Sequence, residues 1–274
     1  MNWKNLFRAG ANFTVAQAKE YMEARGAEAY QLLDVRQPKE YEAGHLAGAI
    51  LIPLKELPGR LAELVKEEPV IVYCAVGGRS KAAAQLLAGN DFVSVYNMVG
   101  GIKAWQGMQA KGPIEAGLEF FTGQEDYEDG LSLAYAMEDG LQKFYQHLAV
   151  RAKNEEDRQL YTRLMTFEDK HKARLLAEYR RQAHGPETIA GQGPAGIMEG
   201  GGRVQDFLAQ TDAYLQGPQD ILELAMMLET QALDLYSRMA QKSEQQKVRT
   251  FFLGLADEEK SHLAFLAEAL DKIL

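Results

Sequence analysis

Four residues in the second half of the chain return at one constant spacing. Glu138, Tyr145, Glu168 and His171 recur as Glu229, Tyr236, Glu259 and His262, each 91 residues later. A fixed offset of this kind means two copies of one supersecondary unit. Within each copy the Glu-x-x-His spacing puts carboxylate and imidazole on one helix face, where both reach a single metal ion. Each pair is preceded, 30 residues earlier, by another Glu. One such pair could be a solvated helix face; two at equal offset require helices arranged around a shared centre.

The segments that carry the repeat are long, amphipathic and almost free of proline: 129–153, 155–183, 219–242 and 244–272. Four such helices predict a bundle. Residues 184–219 break the pattern with Gly185-Pro186, Gly191 to Gly196 and Gly200-Gly201-Gly202. A loop of that length is expected to be a crossover that returns the chain to the end of the bundle where the third helix starts.

Glu138 follows Ala134-Tyr135-Ala136-Met137, and Glu229 follows Leu224-Ala225-Met226-Met227-Leu228. An ionised carboxylate in such apolar surroundings is costly unless it is paired or metal-bound. Four carboxylates match the charge of two divalent cations, and two imidazoles complete a six-ligand shell. Tyr145 and Tyr236, two turns beyond Glu138 and Glu229, either hydrogen-bond the ligands and relay electrons or fill the core with a paired hydroxyl. His147 and His184 have no repeat partner and read as surface or linker residues.

The first hundred residues follow a different rhythm. Thr14 caps a helix to Arg25, with Gly26 beyond its end; Tyr30–Val35, Ala49–Ile52, Val70–Cys74 and Phe92–Tyr96 read as buried strands. Helices are expected around Leu57–Lys66 and Ser80–Ala88. Strand alternating with helix implies a parallel sheet covered on both faces. The chain of 274 residues therefore divides into an α/β domain at 1–112, a linker at 113–128 and an all-α bundle at 129–274.

Charge supports the division and limits the partners. Residues 1–112 hold 13 Lys and Arg against 11 Asp and Glu, a balance of +2, so the remainder carries −11 of the total of −9. Without a basic stripe, phosphate-backbone binding has no electrostatic source, and nucleic acid is not an expected partner. Cys74 is the single cysteine, which excludes an intramolecular disulfide or a four-thiolate metal site and fits a reducing compartment. No signal peptide and no run of about 18 apolar residues is evident, so no membrane association is expected and the cytoplasm is the expected location.

Cys74 ends the apolar run Pro69 to Tyr73 and begins the loop Ala75-Val76-Gly77-Gly78-Arg79-Ser80, after which a helix starts. Parallel sheets place ligand sites at this end of a strand. Paired glycines let successive N–H groups turn inward as an anion nest, aided by the helix N-terminus and Arg79. The same field favours thiolate.

The flanks extend the pattern. Leu33-Asp34-Val35-Arg36, Glu40-Tyr41, Gly44 to Ala49, the Cys74–Ser80 loop and Gly100 to Trp105 resemble, in order, the signatures of a single-domain rhodanese over about the first 108 residues. The resemblance implies that Cys74 takes a sulfane sulfur as a persulfide, with loop residues Ala75 to Ser80 binding the anionic group and Arg79 the donor anion. Four residues between Cys74 and Arg79 resemble the sulfur-transferring loop; related phosphatases have one more. It further implies that Asp34, Arg36 and His45 fix loops rather than take part in chemistry.

Residues 125–274 resemble the ferritin-like domain of rubrerythrins, which implies two iron ions held by Glu138, Glu168, His171, Glu229, Glu259 and His262, with manganese as the other metal suited to these donors. Two departures stand out. No rubredoxin module accompanies the bundle, so electrons must come from an external donor. Ala232 stands where rubrerythrins often carry a further Glu; the neighbouring Glu258 is a substitute ligand in principle, but it reads rather as a capping or solvated residue.

The expected protein is thus a rhodanese sulfurtransferase fused to a di-iron bundle, with a thiosulfate or persulfide donor, a thiol or cyanide acceptor, peroxidase or oxidoreductase chemistry at the metal, and a homodimeric state as in similar bundles. Two other readings remain at this point: an iron-binding sensor of sulfide or peroxide without turnover, and a bundle that serves only to dimerise.

Overall fold

Short runs of apolar residues set the first unit. A computed structural model describes residues 11–182, 189, 193–211 and 215–273. Strands β1 (Ala11–Phe13), β2 (Gln31–Asp34), β3 (Ile50–Leu51), β4 (Val70–Tyr73) and β5 (Val95–Met98) form one sheet in the order β1-β5-β4-β2-β3, with every pair parallel. β2 and β4 are buried at every position, as expected of strands covered on both faces.

Alternation divides their side chains between two cores. Leu33, Val70 and Val72 pack with Ala83, Ala84 and Leu87 of α3 (Gly78–Gly89), whereas Leu32, Ile71 and Tyr73 pack with Ala18 of α1 (Val15–Glu23) and Tyr41 of α2 (Pro38–Ala43). Each fully buried Ile or Leu contributes about 1.5–3 kcal/mol. Thr14 caps α1 through a reciprocal box with Gln17.

Two sequence expectations differ here. The helix expected at Leu57–Lys66 is two short 3-10 turns, Leu57–Gly59 and Leu61–Glu63; Pro58-Gly59 interrupts the apolar spacing that suggested a helix. The last strand starts later than Phe92, because Asp91 turns the chain with a φ of +68°. β1 and α2 had no sequence forecast.

The second unit, which begins at Glu115, is helical. It comprises α4 (Tyr127–Arg151), α5 (Glu155–Gln182), α6 (Val204–Thr211), α7 (Pro218–Lys242) and α8 (Gln246–Asp271). The links α4–α5 and α7–α8 are short, and each pair packs as a hairpin. Asp126 caps α4 by accepting from the Asp129 amide, and Glu128, Asp129 and Arg151 complement its dipole.

Residues 115–126 were expected within a linker, but they pack into this unit. Phe121 is buried edge-on against Phe252, Arg238 donates to the Ala116 carbonyl, and the Glu244 amide donates to Gly123. The crossover is also more structured than expected, since it contains α6 and a 3-10 turn at Glu199–Gly201. His184 lies outside the described residues, and His147 is exposed on α4. Among the described residues no helix is long and apolar enough to cross a membrane.

Candidate functional sites

Cys74 directly follows β4, the central strand, and its loop leads into the first turn of α3. The side chain is buried. The Gly77 amide donates to Sγ at 3.1 Å. The Ser80 hydroxyl lies 3.5 Å from Sγ, 3.2 Å from the Gly77 carbonyl and 2.7 Å from Asn97 Oδ1, so three acceptors compete for one proton. Burial alone would raise the Cys74 pKa, but the Ser80 hydroxyl and the amides of Ser80, Gly77 and Val76 outweigh it, and the thiol is held below its ordinary range.

Gly101 makes the loop possible. Its φ is +58°, and a Cβ there would run into the Cys74 carbonyl. The close approach lets Ile102 and Lys103 donate to the carbonyls of Cys74 and Ala75 at 2.9 and 3.1 Å. The Gly100-to-Trp105 motif therefore buttresses the cysteine loop.

Arg79 is not free at the rim. It forms a two-bond pair with Glu40, both at 2.7 Å. That hydrogen-bonded pairing holds the Glu40 carboxyl at about 2 and the Arg79 guanidinium above its ordinary range; Cys74 adds to the latter. Sequence reasoning gave Arg79 no protein partner. Asp34 and Arg36 form a buried fork at 2.7–3.0 Å, and Arg36 also donates to the Gly44 carbonyl. His45 stacks on Tyr41 with ring centroids 3.5 Å apart, and its Nδ1 lies 2.9 Å from the Tyr41 carbonyl.

The bundle brings the six repeat residues together. Glu138 comes from α4, Glu168 and His171 from α5, Glu229 from α7, and Glu259 and His262 from α8. Ligand atoms of Glu138, Glu168 and His171 lie within 4.8 Å of one another, as do those of Glu229, Glu259 and His262. His171 Nδ1 is 3.0 Å from Glu138 Oε2, His262 Nδ1 is 2.9 Å from Glu259 Oε2, and the two imidazoles stack at 4.6 Å.

A third group joins the halves. Glu138, Glu259 and Glu199, the last from the crossover turn, also lie within 4.8 Å. Glu199 was missed by sequence reasoning because it sits in an irregular segment without a helical period. Its only sequence signal was an acid directly before three glycines. Glu258, the carboxylate considered as a substitute, pairs with Arg174 instead.

All five carboxylates are buried, and one oxygen of each has no hydrogen-bond partner among the described residues: Glu138 Oε1, Glu168 Oε2, Glu199 Oε2, Glu229 Oε2 and Glu259 Oε1. Burial first, then mutual repulsion, pushes Glu138, Glu168, Glu199 and Glu259 above the usual carboxylate range. Burial opposes ionisation at Glu229 too, but hydrogen bonds with Glu259 and His262 hold it below that range. Orphaned carboxylate oxygens and two imidazoles facing one centre fit a pair of iron or manganese ions.

The tyrosines differ. Tyr236 donates to Glu199 Oε1 at 2.7 Å, whereas the buried Tyr145 hydroxyl has no hydrogen-bond partner among the described residues.

A rhodanese-like domain model matches residues 15–108, and a rubrerythrin model matches residues 220–273, which span α7 and α8. The chain is 47% identical over 77 residues to YqhL of Bacillus subtilis strain 168, covering 28% of this chain and 61% of that protein. It is 38% identical over 80 residues to the provisionally named sulfur carrier protein YrkF of the same organism, covering 29% of this chain and 43% of that one. It thus spans less than two thirds of either relative. A rhodanese-like domain protein from Staphylococcus aureus shares 30% identity over 35% of this chain and 91% of its own, with a TM-score of 0.32. The chain therefore carries a rhodanese-like domain at residues 15–108 and a rubrerythrin domain at 220–273, a pairing that supports sulfur-transfer-type function and iron binding.

Proposed function

We propose that the protein is a sulfurtransferase working through a Cys74 persulfide, and that the bundle of the same chain holds two iron ions. The observation that carries the first part is the set of donors around Sγ: the Gly77 amide at 3.1 Å and the Ser80 hydroxyl at 3.5 Å, at the N-terminus of α3. A thiolate held there attacks the outer sulfur of thiosulfate. The S–S bond of the donor breaks and sulfite leaves with the electron pair. A thiol or cyanide then attacks the outer persulfide sulfur, and the thiolate is restored with its electron pair. Loop amides stabilise the anion at both stages.

In the bundle, Glu138, Glu168, His171, Glu229, Glu259 and His262 would hold the metal. Iron held there would supply one-electron redox chemistry toward oxygen or peroxide. The protein's own part is to keep these donors dry and fixed before the metal arrives. A link between sulfur handling and that redox chemistry rests on the presence of both domains in one chain, and the electrons would come from an external donor. The lone cysteine suits a reducing compartment such as the cytoplasm, and a homodimer is the expected assembly.

The Glu40–Arg79 pair favours one second reading. A guanidinium already held by a carboxylate is less available to a donor anion, as suits an iron-binding sensor whose Cys74 reacts without turnover. Transfer of sulfur from thiosulfate or a persulfide to cyanide or a thiol by purified protein, abolished in Cys74→Ser, supports the enzyme. Absence of transfer from every donor contradicts it.

A further inference from the structure

The Glu199 turn is a short antiparallel hairpin whose apex enters the bundle. Ile197 and Arg203 bridge; the Met198 amide donates to the Gly202 carbonyl at 2.7 Å, and the Val204 amide donates to the Gly196 carbonyl at 3.0 Å. Gly200 and Gly201 follow with φ of +78° and +79°, a left-handed pair that turns the chain back at once.

One helix is cut away to admit this hairpin, and the hairpin itself is trimmed where it meets a second. On α4, Gly140 has no room for a Cβ because the Ile197 carbonyl occupies that space. On α7, the hairpin lies against Gln231 and Ala232: a Cβ on Gly200 would come within 2.6 Å of Gln231 Cβ and 3.5 Å of the Ala232 amide nitrogen. Ile197 and Met198 are buried beneath it. Ala232, one turn beyond Glu229 on the same helix, offers no donor, and the turn that carries Glu199 passes beside it at Gly200.

That carboxylate is oriented. Glu199 is 2% exposed; its Oε1 accepts from the Tyr236 hydroxyl, and its Oε2 has no hydrogen-bond partner among the described residues. It lies within 4.8 Å of donor atoms of Glu138 and Glu259, one from each half of the bundle. A residue placed merely to pack the crossover would not leave a carboxyl oxygen buried and without a partner, since an unsatisfied buried polar atom is costly.

Resting on the di-iron reading above, we propose that Glu199 is a seventh protein ligand of the metal pair, delivered by the crossover and held by Tyr236. With five carboxylates and two imidazoles, the centre carries more negative charge than two divalent ions neutralise, so it favours trivalent over divalent iron. The crossover thereby becomes part of the metal site.

The test is anaerobic titration of metal-free full-length protein with Fe(II) or Co(II), comparing wild type, Glu199→Gln and Tyr236→Phe. Gln keeps size and hydrogen bonding but cannot coordinate as a charged donor. For Glu199→Gln the expected results are a metal-free Tm that does not fall, at least 10-fold weaker binding of one of the two ions, an altered Co(II) visible spectrum and a more positive midpoint potential of the iron pair. Tyr236→Phe should show a smaller change in the same direction. If wild type binds two ions and Glu199→Gln matches it in affinity, Co(II) spectrum and potential, the proposal is overturned while the di-iron reading stands. If wild type itself takes up no metal, both are overturned.

Discussion

At Cys74 the groups facing a buried anion are backbone amides and a hydroxyl, supplied by the loop's own turn into α3. At the bundle centre five buried carboxylates face one another, with one oxygen on each left without a hydrogen bond. The first site is electrostatically complete within its own fold. The second leaves its donors unsatisfied among the described residues, as suits a site for cations. Backbone dipoles suit a charge that comes and goes during turnover, whereas fixed carboxylates suit a permanent positive guest.

The contrast can be broken by exchanging losses. Cys74→Ser should abolish sulfur transfer, by a factor of at least about 1,000 since the nucleophile itself is removed, and leave iron uptake intact. Glu168→Ala with His171→Ala should do the reverse. Parallel thiocyanate-formation and iron-content assays check both, and joint loss of the two activities in either variant would contradict the independence of the sites.

A smaller effect is expected behind the loop. Gly101→Ala puts a methyl group against the Cys74 carbonyl at a φ of +58°, so it should cost roughly 2 kcal/mol or more of stability in the first unit. Urea unfolding followed by a probe in that unit measures it, and an unchanged midpoint would show that the buttress is not needed.

Ser80→Ala separates hydroxyl from amide support. Ser80 holds the Cys74 pKa down, so its loss should raise that pKa and reduce the thiolate fraction at neutral pH. Transfer near pH 7 should drop about 5-fold, the worth of roughly one hydrogen bond, with recovery toward alkaline pH. A uniform loss across all pH values would point to lost geometry instead.

The smallest effect concerns Glu40. Its carboxyl is held at about 2 against an ordinary 4.5, so its ion pair stabilises the fold above about pH 4.5 and loses that contribution as pH falls toward 2. Both partners are about one-third exposed, which limits the contribution to about 1 kcal/mol or less. Acid unfolding of wild type and Glu40→Gln should differ above pH 4.5 and converge near pH 2.

Sequence legibility followed the same line as the contrast. The six candidate residues on the helices were readable because donors on regular helices must repeat at helical spacing, and the 91-residue offset exposed Glu138 to His262 as one set. The cysteine loop was readable from its strand, glycines and helix start. Glu199 was not, because a hairpin apex has no period and its place depends on Gly140 of α4 and Gly200 of the hairpin leaving room for close contact with distant residues. The Glu40–Arg79 pair joins residues 39 positions apart with no pattern to announce it. The helix wrongly expected at Leu57–Lys66 shows the opposite error, in which apolar spacing alone was given more weight than Pro58-Gly59.

The most direct measurement is iron content and optical absorption of the full chain after anaerobic reconstitution, alongside Glu168→Ala, His171→Ala. About two irons per chain, with an oxo-bridged absorption band on oxidation that the double variant lacks, is the predicted result. A folded wild type that stays free of metal under these conditions would contradict the di-iron account and leave the bundle as a scaffold for the sulfur site.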